Sequence, residues 1–65
     1  MHATEARRLE KEIDDLQAQI DSLTEEIGKE EVYTDYELMN RKCAEIEELK
    51  QRIDADFELL IELDQ

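Results

Sequence analysis

The sequence predicts an all-α protein, an antiparallel two-helix coiled-coil hairpin in which residues 1–65 form a single domain. Three observations lead to this prediction. Helix-favouring residues dominate the chain, apolar residues recur at alternating spacings of three and four in two stretches, and the only glycine follows the first stretch. We predict helices over about residues 4–27 and 35–64, joined by a turn at 28–34.

The composition excludes several classes of function. A chain of 65 residues has no room for a nucleotide-binding sheet or a buried catalytic cleft. No stretch approaches the ~20 successive apolar residues of a membrane span. The formal net charge of −12 disfavours general binding to phosphate backbones or anionic lipids. One cysteine cannot form an internal disulfide, so nothing in the sequence implies an oxidising compartment. We expect a cytoplasmic protein that makes no membrane contact.

An unbroken heptad repeat predicts the first helix. Its apolar positions are Ala6, Leu9, Ile13, Leu16, Ile20, Leu23 and Ile27. Alanine or isoleucine occupies every a position and leucine every d position. Such a narrow two-position stripe is typical of a coiled coil rather than of a helix in a globular core.

The second helix has two competing apolar registers. The first register runs through Tyr36, Met39, Cys43, Ile46, Lys50, Ile53, Phe57, Leu60 and Asp64. The second register runs through Met39, Lys42, Ile46, Leu49, Ile53, Asp56, Leu60 and Leu63. We expect the buried stripe to be centred on the positions that both registers share, with three residues beside it: Cys43, Leu49 and Phe57.

Signals for a helix end and a helix start flank the predicted turn. Gly28 directly follows the first apolar stripe, where a left-handed glycine cap is expected. Thr34 and Glu37 match a capping box at the start of the second helix. Tyr33 and Leu38 match the hydrophobic staple that accompanies such a box. Folding back at this turn buries both stripes if the numbers of opposing residues sum to about 65.

The end of the hairpin away from the turn is predicted to be poorly covered. The second helix finishes with a wide apolar face, whereas the first helix begins with Ala3 and Ala6. We therefore expect the isolated chain to form a homodimer, as a four-helix or swapped assembly. The residues expected to mediate this self-association are Phe57, Leu60, Ile61 and Leu63.

No residue pattern indicates catalysis, a metal site or a small-molecule substrate. Acidic pairs such as Asp14–Asp15 lack the spacing of a calcium loop, so we interpret them as solvated helix faces. Cys43 is expected to act as a small apolar residue in the stripe. Lys50 in the first register either fixes the helix alignment or extends its ammonium group to solvent. We expect no enzyme activity, no metal and no cofactor in this chain.

Aromatic and basic side chains gather near the predicted turn. They are Lys29, Tyr33, Tyr36, Arg41 and Lys42. Such a set can stack on nucleic-acid bases and contact phosphates. In the alternative interpretation, the tyrosines pack the turn and the basic groups pair with neighbouring carboxylates. Both interpretations stay open at the level of the sequence.

A specific segment follows the first heptad repeat. Tyr33-Thr34-Asp35-Tyr36 joins the turn to the second helix, which ends in the apolar residues Phe57, Leu60 and Leu63. With this combination, over roughly residues 5–63, the chain resembles the C-terminal coiled-coil domain of ABC-F family ATPases. The resemblance implies that the chain is a piece of a larger protein in which two ATP-binding cassettes precede the hairpin.

The resemblance also implies a function. ATP and magnesium would be bound by the cassettes of the parent protein, because this chain lacks a G-x-x-x-x-G-K phosphate loop. The hairpin would assist contact between the parent protein and nucleic acid or the ribosome. The alternative is a structural coiled-coil adaptor that self-associates and binds only protein.

Overall fold

A computed structural model describes residues 2–63, which form two long helices and one short helix. Helix α1 spans His2–Ile27, α2 spans Glu30–Tyr33 and α3 spans Tyr36–Leu63. The described part of the chain contains no strand, so the all-α prediction is confirmed. Position 64, the predicted end of the second helix, lies outside the described residues.

The two long helices pack against each other in an antiparallel rod of 48 × 14 × 10 Å. An ion pair of 3.4 Å joins Glu26, near the end of α1, to Lys42, near the start of α3. A second ion pair of 2.8 Å joins Glu12 to Arg52 farther along the rod. These pairs lie close to the alignment expected from the two apolar stripes. The rod therefore has a closed tip at α2 and an open end where α1 begins and α3 finishes.

The core is a single row of aliphatic side chains between α1 and α3. Its buried members are Leu16, Ile20, Ile46 and Ile53, and half-buried neighbours pack against them: Ile13, Leu23, Ile27 and Leu49. Heptad spacing brings these residues to the facing sides of both helices. The row is strongest in the middle of the rod and weakens toward the open end.

Helix α3 uses the second of its two possible registers. Leu49 packs against the core and Asp56 is buried, whereas Lys50 and Phe57 are exposed. Phe57, which we expected beside the stripe, is 49% exposed. The physical reason is that Leu49 buries more apolar surface in the middle of the rod than a lysine stem can. Lys50 instead forms an ion pair of 3.9 Å with Glu47 on its own helix.

The segment between the long helices contains a short helix that the sequence prediction missed. In α2, Val32 is buried and closes the tip of the rod between α1 and α3. A possible signal was that Val32 is the only aliphatic residue between Gly28 and Asp35.

Gly28 does not adopt the left-handed conformation expected of a helix cap, since no residue with positive φ occurs in residues 2–63. Instead, the Gly28 N–H donates to the Glu25 carbonyl oxygen at 3.2 Å. The Lys29 N–H donates in the same way to Glu26 at 3.0 Å. Helix α1 thus ends in a tightened turn that satisfies its last carbonyl groups without a glycine cap.

Asp35, rather than Thr34, caps the start of α3. The Leu38 N–H donates to Asp35 Oδ1 at 3.1 Å, in the geometry of an N-cap. Thr34 has helical backbone angles because it ends α2, and its Oγ1 donates to the Glu30 carbonyl oxygen at 2.6 Å. An N-cap residue requires an extended backbone, so the predicted capping box does not form.

Candidate functional site

The closed tip presents two tyrosines to solvent. Tyr33 is the last residue of α2 and is 54% exposed, and Tyr36 is the first residue of α3 and is 79% exposed. The first register required Tyr36 to cover the apolar stripe. Because the side chain is mostly exposed, it does not do so. Aromatic rings that face solvent are available for stacking on a ligand, and these two are three positions apart in the sequence.

The basic residues near the tip fall into two groups. The Lys42 side chain is only 19% exposed, and its Nζ lies 3.4 Å from Glu26 Oε1, so this lysine ties α3 to α1. Lys29 and Arg41 are exposed and form no ion pair within residues 2–63. Lys29 stands at the start of α2 with an extended backbone. Only these two of the three predicted basic contacts are available to a ligand.

The tip does not gather all of its candidate residues on one face. Arg41 follows Tyr36 by five positions, which corresponds to roughly 140° around an ideal helix. Acidic side chains surround the tip as well: Glu30, Glu31, Asp35 and Glu37. A ligand that stacks on the tyrosines would therefore contact one basic side chain at a time. The electrostatic potential around the tip is negative on average because of the acidic side chains.

The open end holds an apolar groove of about 370 Å³. It is lined by Leu9 from α1 and by Leu59 and Leu63 from α3. Three charged side chains, Glu5, Arg8 and Glu62, form its edges. This arrangement is typical of a surface that another molecule covers.

The residues predicted to mediate self-association are distributed around the end of α3. Leu60 is half-buried, and Leu63 lines the groove. Phe57 and Ile61 are exposed and do not line the groove. Leu59 does line it and was absent from the predicted set. Its spacing of four positions from Leu63 was the signal that could have identified it.

Asp56 is the one buried charged residue of residues 2–63 and lies near Glu12 and Arg52 at the open end. It is 8% exposed, and its Oδ2 atom accepts no hydrogen bond. Burial, together with the hydrogen bonding and negative charge of Glu12, raises the pKa of Asp56, while Arg52 acts in the opposite direction. The carboxylate occupies a stripe position where an apolar residue would pack.

Residues 2–63 contain no group of three potential metal ligands, and Cys43 is a half-buried free thiol. The chain's single glycine cannot form a glycine-rich phosphate loop, so ATP does not fit this chain in that manner. No helix within residues 2–63 has the length and apolarity needed to cross a bilayer.

The chain matches a known protein family. The family model described as ABC transporter C-terminal domain matches residues 2–65. Searches of curated proteins and of solved structures found no match. The matched range includes both long helices and the closed tip, and it confirms the resemblance identified from the heptads and the Tyr33-Thr34-Asp35-Tyr36 segment.

Proposed function

Because the chain belongs to the ABC transporter C-terminal domain family, we propose that it is a non-catalytic interaction domain of an ABC-F-type ATP-binding protein. In this proposal the closed tip contacts nucleic acid, either free or within the ribosome. ATP and magnesium are bound by other parts of the parent protein, which acts in the cytoplasm. The hairpin itself contributes a rigid extension that carries the tip away from the parent.

The solvent exposure of Tyr33 and Tyr36 is the observation that carries this proposal. Stacking on a partner would remove the apolar surface of these two exposed rings from water, which favours binding. Base–aromatic stacking contributes about 1–3 kcal/mol for each base and tolerates any base sequence. Lys29 and Arg41 can each add a phosphate contact.

The negative charge of the rest of the chain shapes the expected binding. Two phosphate contacts with a single strand predict a slope of about −1.4 for log K against log salt. The net charge of −12 repels the same phosphates, and this repulsion is also screened by salt. We therefore expect binding that is weak, dominated by stacking and only modestly weakened by salt.

Fluorescence anisotropy with single-stranded RNA and DNA, and co-sedimentation with ribosomes, tests the proposal. The double variant Tyr33→Ala/Tyr36→Ala should lose at least tenfold in affinity for the ligand that binds. Lys29→Glu/Arg41→Glu should also weaken binding and flatten its dependence on salt. Arg7→Glu/Lys11→Glu makes the same change in net charge at the open end, so it serves as the matched control and should bind better than the tip variant.

Two outcomes would contradict the proposal. If the two charge variants weaken binding equally, net charge rather than the tip controls the contact. If neither RNA, DNA nor ribosomes bind at any salt concentration, the alternative of an adaptor that binds only protein is favoured. Circular dichroism of each variant shows whether the helices are retained.

A further inference from the structure

The two helices carry opposite charges at the open end. Residues 3–11 of α1 hold three basic and two acidic side chains. Residues 54–63 of α3 hold four acidic side chains and no basic one. The most basic part of the chain therefore lies beside one of its most acidic parts, although the chain as a whole is strongly acidic. This end is complementary in charge to a second copy of itself.

The apolar groove lies between these two oppositely charged helix ends. Leu59 lines the groove and is 47% exposed, so part of its side chain is available for contact with another molecule. Arg8 is on the α1 side of the groove and Glu62 is on the α3 side. A copy turned through a two-fold axis would bring the basic edge of one groove to the acidic edge of the other.

The other exposed apolar residues of α3 face a different direction. Leu59 is two positions from Phe57 and two from Ile61, which places it roughly 200° around the helix from each. Contact through the groove therefore leaves Phe57 and Ile61 uncovered. This separation supplies a matched control within the same two turns of α3.

We propose that a second copy of this chain docks on the groove, with the two-fold axis along the rod and both tips pointing the same way. Helix α1 of each copy then lies beside α3 of the other, and neighbouring helices remain antiparallel as in a four-helix bundle. Arg8 of each copy faces Glu62 of the other, and Leu59 of each copy enters the other groove. This inference is independent of the function proposed for the tip.

The area available makes this a weak dimer. Standard interfaces use about 800 Å² on each partner, whereas the whole rod exposes 5201 Å² and the groove occupies only one side of its open end. Two copies, each with a net charge of −12, also repel each other. We expect association at micromolar concentrations that strengthens as salt rises, because the long-range repulsion is screened more than the close pairs.

Sedimentation equilibrium of charge-reversed variants provides the test. Arg8→Glu alone should weaken association at least tenfold, because the introduced carboxylate then faces Glu62 of the other copy. Glu62→Arg alone should also weaken it, because two positive groups then meet. An equimolar mixture of the two variants should restore association. In the mixed dimer, both contacts between positions 8 and 62 again join one positive and one negative side chain.

This design separates specific pairing from net charge. If net charge alone governed association, Glu62→Arg would associate more tightly than the unaltered chain. That result, or a mixture that stays monomeric, would overturn the proposal. So would an unaltered chain that remains strictly monomeric at high micromolar concentration and high salt.

Apolar variants test which side of α3 is covered. Leu59→Asp should abolish association, whereas Ile61→Asp introduces the same charge on the other side and should change it less than threefold. Equal effects of the two substitutions would place the contact elsewhere. Circular dichroism of both variants at low concentration shows whether the hairpin is still folded. The tip variant Tyr33→Ala/Tyr36→Ala should associate normally, so failure of one proposal leaves the other intact.

Discussion

In the middle of the rod the core isoleucines are packed together, and at the closed tip Val32 is buried, whereas at the open end Asp56 is buried while Leu59 and Ile61 face solvent. The same three–four spacing runs through both regions. In the middle of the rod, the stripe residues of α1 and α3 pack against each other within the chain. At the open end, α3 offers more apolar surface than α1 can cover.

The difference shows that a regular repeat does not guarantee a regular core. The start of α1 supplies Ala3 and Ala6, which are too small to fill the space beside the last turns of α3. The open end therefore combines exposed apolar side chains with a buried carboxylate. The middle of the rod holds the buried core, and the open end leaves apolar side chains of α3 exposed.

The largest expected effect is on the core of the rod. Leu16, at 2% exposed, is its most buried residue, so Leu16→Ala should cost about 2–5 kcal/mol. A single core of this size supplies only about 3–5 kcal/mol. We expect the variant to be largely unfolded at 25 °C, as measured by circular dichroism in a urea titration. Leu59→Ala, the same substitution at the open end, should cost less than about 1 kcal/mol at low protein concentration. Equal costs would remove the contrast between the two regions.

Replacing the buried carboxylate should stabilise the open end. Asp56→Leu completes the apolar stripe and removes a buried group without full hydrogen bonding, which should raise the free energy of unfolding by about 1–3 kcal/mol. Asp54→Leu removes the same charge from an exposed position and serves as the control. If both substitutions stabilise the chain equally, the gain comes from net charge and not from burial.

The benefit of Asp56→Leu should depend on pH. The pKa of Asp56 is raised above its ordinary value of 3.8 in the folded state. The folded chain therefore binds this proton more tightly than the unfolded chain, and the resulting stability is lost as pH rises through the raised pKa. The advantage of the leucine variant should be full at neutral pH and smallest near pH 4. A difference that is constant over this range would contradict the raised pKa.

A smaller effect is expected from the cap of α3. Asp35→Ala removes the acceptor for the Leu38 N–H and should cost about 1 kcal/mol. Thr34→Ala removes only an exposed hydrogen bond to a helix carbonyl and should cost a few tenths of a kcal/mol. Thermal unfolding of the two variants provides the measurement. A larger loss in the threonine variant would restore the capping box predicted from the sequence.

The smallest effect is expected at Gly28. A β-carbon added there would lie 3.4 Å from the Glu25 carbonyl oxygen, an ordinary contact, and φ is not positive. Gly28→Ala should therefore stabilise the chain by about 0.4–1 kcal/mol through the entropy of the unfolded state. A shift of the urea midpoint to higher concentration would show this. A shift to lower concentration would indicate a left-handed glycine.

The local signals at the tip predict the right kinds of structure at slightly wrong positions. The predicted cap of α3 lies one residue early, because α2 forces Thr34 into a helical backbone and leaves Asp35 as the cap. Among the candidate contact residues, Lys42 could not be separated from Lys29 and Arg41, since its partner Glu26 is distant in sequence. Leu59 was missed because its role depends on Leu9 of the other helix.

The sequence by itself determined two long amphipathic helices and their antiparallel packing, because helix propensity and apolar spacing are local properties of the chain. Only the tertiary structure decided which register of α3 is buried. Both registers share Met39, Ile46, Ile53 and Leu60, so periodicity alone does not distinguish them. The choice of register depends on which side chains of α1 face α3. Burying Leu49 in the middle of the rod also places Asp56 in the core and directs Leu59 to the groove.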